Sequence, residues 1–159
     1  CGTCQLDYQL PGRFNLEYTD ANSEKQVPVM IHRVVYGSIE RFIGVITEHF
    51  AGAFPCWLSP VQVKILPVTD RAYDYADNIK SVLDQHGYRV EIDKRNEKTG
   101  RKIRDAQLEK VPYMIVVGDR DIQNNTIALR HRTDGELGTM TLEQFERIIG
   151  EDVEQKLIK

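Results

Sequence analysis

The stretch Tyr113-Met114-Ile115-Val116-Val117-Gly118 decides the fold. It is an unbroken apolar run of strand length that stops at a glycine. That is the pattern of a strand buried on both faces in the middle of a parallel sheet. Upstream, Val61-Gln-Val-Lys-Ile-Leu-Pro67 reads as a second strand and Tyr88-Arg-Val-Glu-Ile-Asp93 as a third. Between them the spacing predicts a helix over about 71–86, capped by Asp70 and ended by Gly87 at the C′ position. Its apolar positions are Ala72, Tyr75, Ala76, Ile79 and Leu83. Thr99–Lys110 reads as a basic helix with Ile103, Ala106 and Leu108 facing inward. Downstream, Thr126–Arg132 alternates, and Thr141-Leu-Glu-Gln144 is a capping box that opens a last helix. Strands alternating with helices predict an α/β fold: a mostly parallel mixed sheet flanked by helices.

Further toward the N-terminus the pattern changes. Residues 3–10 alternate apolar and polar as a half-buried strand does, and 11–26 are polar and turn-rich. Residues 28–36 predict another strand, with Met30, His32 and Val34 on one face and Val29, Ile31, Arg33 and Val35 on the other. Gly37 breaks it, and a helix over 38–50 follows, with Ser38 as N-cap and an apolar stripe of Ile39, Phe42, Ile43 and Ile46. Ala51–Pro60, with prolines on either side of Trp57, reads as a connection. The expected organisation is a strand-and-helix segment at 1–53, a linker at 54–60 and an α/β domain at 61–159.

Composition narrows the function classes. The 159 residues are 41% hydrophobic and 28% charged, which are globular values. A formal net charge of −3 neither predicts nor excludes a nucleic-acid partner. No apolar run approaches the ~20 residues that span a bilayer, so no membrane association is expected. The start, Cys1-Gly-Thr-Cys4-Gln-Leu-Asp, has neither a basic nor an apolar leader region. Three cysteines in a chain of this size fit a reducing, cytoplasmic setting. A first residue other than Met, and an active-site-like strand-glycine-helix so close to it, lead us to expect the back portion of a larger enzyme.

Four constellations carry chemistry. Cys1-Gly-Thr-Cys4 has the spacing of half a metal or redox site, but it leads into a strand, where residues three apart face opposite ways; two buried cysteines are the simpler reading. His32 sits between apolar Met30 and Val34, which suits a buried neutral imidazole, structural or metal-ligating. Arg41, in the first turn of a helix entered through Gly37-Ser38, is placed to meet an anionic group or to be solvated. The tract Lys94–Arg104 holds six cations against one anion, at the mouth of a strand-to-helix connection. Open α/β sheets bind ligands there, beyond the carboxyl ends of the strands. Lys110, Arg130 and Arg132 extend the basic character, while acidic residues gather between Asp134 and Glu154. The tract reads either as a solvated face or as a contact for a polyanion, most naturally RNA, with Asn96 and Arg130 on base edges and lysines on phosphates.

The ordered segments Gly2-Thr-Cys-Gln-Leu-Asp7, Val29-Met-Ile-His-Arg33, Gly37-Ser-Ile-Glu-Arg-Phe-Ile-Gly44, Trp57-Leu-Ser-Pro-Val-Gln-Val63, Asp93-Lys-Arg-Asn-Glu-Lys98, Lys102-Ile-Arg104, Val111-Pro-Tyr-Met114, Val117-Gly-Asp119 and Leu137-Gly-Thr-Met140 together resemble the C-terminal part of the threonyl-tRNA synthetases, a class II aminoacyl-tRNA synthetase family. The resemblance covers nearly the whole chain. It implies that residues 1–53 are the tail of a catalytic domain, an antiparallel-strand and helix remnant, and that 61–159 are an anticodon-binding domain. Gly37–Arg41 resembles motif 3 of class II enzymes, so Arg41 is the implied catalytic contact to the phosphates of ATP, with Ser38 beside it. Thr3 and Gln5 match residues lining the adenylate pocket. His32 matches a ligand of the family's zinc, whose other ligands, a cysteine and a histidine, are implied upstream. That zinc is understood to read the amino and hydroxyl groups of threonine. Asn96, Lys110, Asp121 and Arg130 match anticodon-reading positions. Lys110 stands where the family often has arginine and Asp121 where it often has glutamate, and lysine cannot reproduce a bidentate guanidinium.

The parent enzyme implied is a homodimeric, cytoplasmic ligase that uses ATP, Mg2+ and Zn2+ to join threonine to tRNA-Thr. The chain alone is expected to be inactive, monomeric and without a tightly bound cofactor. A second reading is a stand-alone RNA-binding module. A third, a nucleotide- or effector-binding domain unrelated to tRNA, lacks the G-x-G-x-x-G or P-loop that would support it.

Overall fold

The structure is a computed structural model that describes residues 2–158. It divides into two compact units between His49 and Phe50. The first contains β1 (Thr3–Asp7), α1 (Leu10–Arg13), β2 (Tyr18–Thr19), β3 (Lys25–Gln26), β4 (Met30–Val34) and α2 (Ile39–His49). β1 and β4 pair antiparallel, with Gln5 opposite His32. The strand expected over 3–10 ends at Asp7 for a local reason. The Asp7 Oδ1 accepts the backbone N–H groups of Gln9 and Leu10, at 2.8 and 2.9 Å, and turns the chain into the short α1. The turn-rich stretch after it holds the β2–β3 hairpin, whose bend is fixed by Asp20 Oδ1 accepting the N–H groups of Asn22 and Glu24, each at 2.9 Å. α2 carries the expected apolar stripe but buries none of its residues; Ile39 is 64% exposed.

The second unit contains β5 (Val63–Pro67), α3 (Tyr73–Gln85), β6 (Val90–Ile92), α4 (Thr99–Leu108), β7 (Tyr113–Val117), α5 (Asp119–Asn124), β8 (Ile127–His131), β9 (Gly135–Met140) and α6 (Leu142–Glu154). The sheet order is β6-β5-β7-β8-β9. β5 is parallel to β6 and β7, whereas β8 is antiparallel to both β7 and β9. β7 is therefore central, as its apolar run predicts. Two elements were not anticipated: β9, and the six-residue α5. Asp70 does not cap the long helix; it opens a 3-10 turn, and α3 begins at Tyr73. Gly87 does follow the helix end in the left-handed region, at φ +83°.

The alternation of side chains along the strands sorts the core into two layers. Val63, Ile65, Val90, Tyr113, Ile115, Val117, Ile127 and Leu129 meet Ala76, Ile79 and Leu83 of α3 and Phe145 and Ile149 of α6. On the opposite face Leu66, Met114 and Val116 meet Ile103 and Ala106 of α4. Each fully buried large side chain contributes roughly 1.5–3 kcal/mol. α6 starts with the expected box: Gln144 N–H reaches Thr141 Oγ1 at 3.4 Å, and Thr141 N–H reaches Gln144 Oε1 at 3.0 Å. Among the described residues, no helix is long and apolar enough to cross a membrane.

Candidate nucleic-acid interface

The route of the chain through the second unit sets up a site. From β5 it moves to β6 on one side, then passes back to β7 on the other. α3 and α4 consequently cover opposite faces. The loops leaving β5, β6 and β7 gather at the carboxyl edge beside this reversal, where open α/β sheets bind ligands. They are tied to one another there. Val68 N–H bonds to the Val117 carbonyl at 2.9 Å, Thr69 Oγ1 donates to Asp119 Oδ1 at 3.2 Å, and Tyr73 OH donates to the Lys94 carbonyl at 3.0 Å.

The basic tract occupies this edge, but most of its charge is engaged within the fold. Lys94 Nζ lies 2.8 Å from Asp77 Oδ2 and 5.6 Å over the Tyr73 ring. Arg95 grips the buried Asp93 with Nε at 2.9 Å and Nη2 at 2.7 Å, and the same Nη2 reaches Asp105 Oδ2 at 2.9 Å. These contacts hold the Asp93 carboxyl below its ordinary range against the opposing effect of burial. Arg101 pairs with Glu97 at 3.4 Å. Lys102 is 3% exposed, and its ammonium donates to the carbonyls of Pro67 and Asp93 at 3.0 and 3.1 Å. Among the described residues, Lys98 and Arg104 are the cations of the tract with neither an ion pair nor a side-chain hydrogen bond. Sequence counting saw six positive charges on one face; the structure leaves few of them for a polyanion.

The four base-reading candidates divide between two edges. Asn96 is exposed at the tip of the loop leaving β6, and its side chain has no hydrogen-bond partner among the described residues. Asp121 lies in the first turn of α5, just past β7, where its Oδ2 accepts the Gly118 N–H at 2.9 Å. Lys110 and Arg130 lie toward the amino end of β7. Lys110 follows α4 at φ +61°, with its ammonium donating to the carbonyl of Ala51. Arg130 stands opposite Met114 on β8, with Nη1 3.7 Å from Glu136 Oε1 and a buried Nε that lacks a partner. Arg132 does not extend a surface patch. Its guanidinium donates to the carbonyls of Phe54, Ala53 and Lys110, at 2.6, 3.1 and 3.1 Å, and pins residues 53–54 to this domain.

In the first unit, Thr3, Gly37, Ser38 and Arg41 line one cleft of about 390 Å³. Gly37 takes φ +68°, which lets the strand turn sharply into α2. Ser38 Oγ donates to Glu40 Oε2 at 2.7 Å and accepts the Arg41 N–H at 3.4 Å, so Ser38 caps as expected. The Arg41 side chain is exposed and has no partner among the described residues. Gln5 and His32 line a separate cleft of about 420 Å³ together with Asp7 and Arg13. His32 is not buried as its apolar neighbours suggested. Its side chain is 39% exposed, with Nε2 3.1 Å from Asp7 Oδ2. The two backbone N–H groups on Asp7 hold its carboxyl below the ordinary range, and His32 adds to this. Zinc takes three or four such ligands. Among the described residues no group of three His, Cys, Asp or Glu side chains gathers. Cys4 is exposed rather than buried, and Cys1 lies outside the described residues.

Sequence reasoning missed Lys102, Asp93 and Asp105 as the framework of the Asn96 loop. A faint signal existed: positions 99, 102 and 106 share one helical face, so Lys102 had to point with Ala106 toward the sheet.

Comparison with known proteins places these features. The family described as "Anticodon binding domain" matches residues 62–152. The family described as "tRNA synthetase class II core domain (G, H, P, S and T)" matches residues 1–50. A threonine–tRNA ligase of Acetivibrio thermocellus is 60% identical over 156 residues, which are 98% of this chain and 25% of that protein. One of Clostridium novyi is 56% identical over 98% of this chain and 24% of its own length. The chain thus spans about a quarter of the relatives it matches. The solved RNA binding domain of threonyl-tRNA synthetase from Cryptosporidium parvum Iowa II superposes with a TM-score of 0.79 at 37% identity, over 95% of this chain and 38% of that one. A prolyl-tRNA synthetase from Cryptosporidium parvum shares the fold, with a TM-score of 0.70 at 23% identity over 97% of this chain and 33% of its own. The five-stranded mixed sheet, its helices on both faces and the match along residues 62–152 agree: the chain belongs to the anticodon binding domain family.

Proposed function

We propose that this chain is the tRNA-reading portion of a cytoplasmic, homodimeric threonine–tRNA ligase, and that its second unit recognises the anticodon of tRNA-Thr. The match of residues 62–152 to the anticodon binding domain family carries this reading. The unpartnered Asn96 at the carboxyl edge supports it, because a free amide can bond a base edge without first breaking a contact within the protein. Arg130 and Lys110 serve the same RNA from the amino end of β7, and Asp121 reads with the carboxylate oxygen that its cap leaves available. In this reading 1–53 are the tail of the catalytic domain, 61–159 are the anticodon-binding domain, and 54–60 join them.

In the intact ligase, threonine is activated with ATP and then transferred to the tRNA. The first unit contributes a positioned cation to that reaction. Arg41, seated over the Thr3–Ser38 cleft, stabilises charge on a bound polyphosphate while Ser38 and Thr3 offer hydroxyls to the nucleotide. Magnesium would screen the same phosphates. Zinc would find one imidazole, that of His32, in the separate cleft beside Gln5, whose described lining holds no second histidine and no cysteine.

The test is equilibrium binding of the chain to a tRNA-Thr anticodon stem-loop and to stem-loops with each anticodon base replaced. Selective, salt-sensitive binding is expected. Arg130→Ala should lose roughly tenfold in affinity for the cognate loop, as one good base contact requires. Equal affinity for all loops refutes the reading. Threonine-dependent pyrophosphate exchange by the chain alone should be absent.

A further inference from the structure

The loop that carries Asn96 is held at almost every residue except Asn96. Asp93 N–H bonds to the Ile65 carbonyl at 2.9 Å, and the Asp93 carbonyl accepts from buried Lys102 at 3.1 Å. The Lys94 carbonyl accepts from Tyr73 OH, and the Lys94 ammonium meets Asp77. The Arg95 guanidinium joins Asp93 to Asp105 of α4, and the Arg95 N–H also bonds to Asp93 Oδ1, at 3.1 Å. Glu97 N–H closes back on the Arg95 carbonyl at 2.9 Å. The Lys98 carbonyl accepts the N–H groups of Arg101 and Lys102 at 2.8 and 3.1 Å. Lys102 also grips the Pro67 carbonyl, so one ammonium ties the ends of β5 and β6 together. In the middle of this clamp the Asn96 side chain is exposed and, among the described residues, has no hydrogen-bond partner. A base-reading amide gains most from being held this way, because the entropy of ordering it is lost on folding rather than on binding.

We infer that Arg95 and Lys102 are positioning residues that present Asn96 to a base, with Asp93 and Asp105 as their anchors, and that Lys98 and Arg104 supply the phosphate contacts of this segment. The inference rests on the anticodon-binding reading given above. It divides the basic tract by role. A cation locked bidentately to a carboxylate has few donors left for phosphate, and breaking that lock to make a phosphate contact gains little. Lys98 and Arg104 release nothing within the protein when they bind.

The whole chain, bound to the cognate anticodon stem-loop and to loops with each anticodon base replaced in turn, at several salt concentrations, separates the roles. Arg95→Lys keeps the charge but cannot make the fork to Asp93 and Asp105. It should lower base discrimination to the level of Asn96→Ala while leaving the slope of log affinity against log salt unchanged. Asp105→Asn, which cannot be mistaken for a phosphate contact, should shift discrimination in the same direction. Arg95→Lys added to Asn96→Ala should cost no further discrimination, a coupling that general destabilisation would not produce. Lys98→Ala and Arg104→Ala should each make the salt slope shallower, by roughly 0.7–0.9, with discrimination intact. Full discrimination in Arg95→Lys, or a shallower slope with intact discrimination in Arg95→Ala, overturns the inference. If Asn96→Ala itself keeps full discrimination, the base-reading role of this loop fails instead. If no loop binds selectively, the anticodon assignment fails.

Discussion

Replacing Tyr113 by Phe removes one oxygen from the centre of the second unit. Tyr113 is 2% exposed, and its hydroxyl donates to the carboxylate of Asp152, itself 3% exposed. The hydroxyl stays protonated at any working pH, because burial first, and the Asp152 carboxylate second, push its pKa well above the ordinary value. A hydrogen bond to a charged group contributes about 1.5–3 kcal/mol net, and the upper half of that range applies where the acceptor is buried. The ring remains, with its edge-on contact to Phe145 at 5.4 Å and its tilted contact to His131 at 5.0 Å, so no cavity opens. The expected loss is therefore about 2–3 kcal/mol. Trp57 is the only tryptophan and lies in the same unit, so its fluorescence in urea follows this core. With a slope of about 1–3 kcal/mol per molar, the midpoint should fall by roughly 1–2 M at unchanged slope. Asp152→Asn should cost less in the Tyr113→Phe background than alone, by about 1–2 kcal/mol. A loss below about 0.5 kcal/mol, or strict additivity of the two changes, would falsify the claim that this pair is joined in the folded state.

Three further outcomes follow from local geometry. Thr141→Ala breaks the box at the start of α6 and should cost about 1 kcal/mol in the same urea assay, with Thr141→Ser largely preserved. Gly87→Ala places a Cβ where no neighbour lies within 4 Å, so its cost, about 1–2 kcal/mol, should come from the left-handed backbone alone. His131 is 3% exposed, and burial holds its pKa below the ordinary value although the Asp134 carboxylate pulls it upward. The unfolded chain therefore takes the proton first. Stability from the neutral imidazole is full above about pH 6.5 and is lost as pH falls through the lower folded-state value. Urea midpoints at pH 8 and pH 5.5 should separate less in His131→Asn than in the parent, and equal separations would count against a neutral imidazole in the core.

The sequence made legible what repeats along a strand or helix. Tyr113–Val117 announced a central strand because both its faces are buried, and Thr141 with Gln144 announced a helix start because its two bonds are local. β9 escaped because Gly135 and Gly138 interrupt its alternation and most of its residues are exposed. α5 escaped because six residues cannot show a helical period, although Gly118 and Asp121 already held its cap. The inward face of α4 was misread at Leu108, which is 69% exposed, because apolar character alone was followed there. The inward residue is Lys102, which hydropathy places outside; only the carbonyls at the ends of two strands make room for its ammonium. Asn96 and Arg41 were legible as candidates only through resemblance, since nothing periodic marks an exposed polar side chain.

The unburied stripe of α2 has a thermal consequence. A helix with no buried residue adds little to the cooperative melting of a protein, since unfolding it exposes little new apolar surface. Globular chains absorb about 0.7 kcal/mol per residue on melting near 60 °C, so a core confined to the part from Phe50 onward should absorb about 75 kcal/mol rather than the 110 or so that the whole chain would suggest. A calorimeter would register the shortfall as a chain that melts like one two-thirds its size.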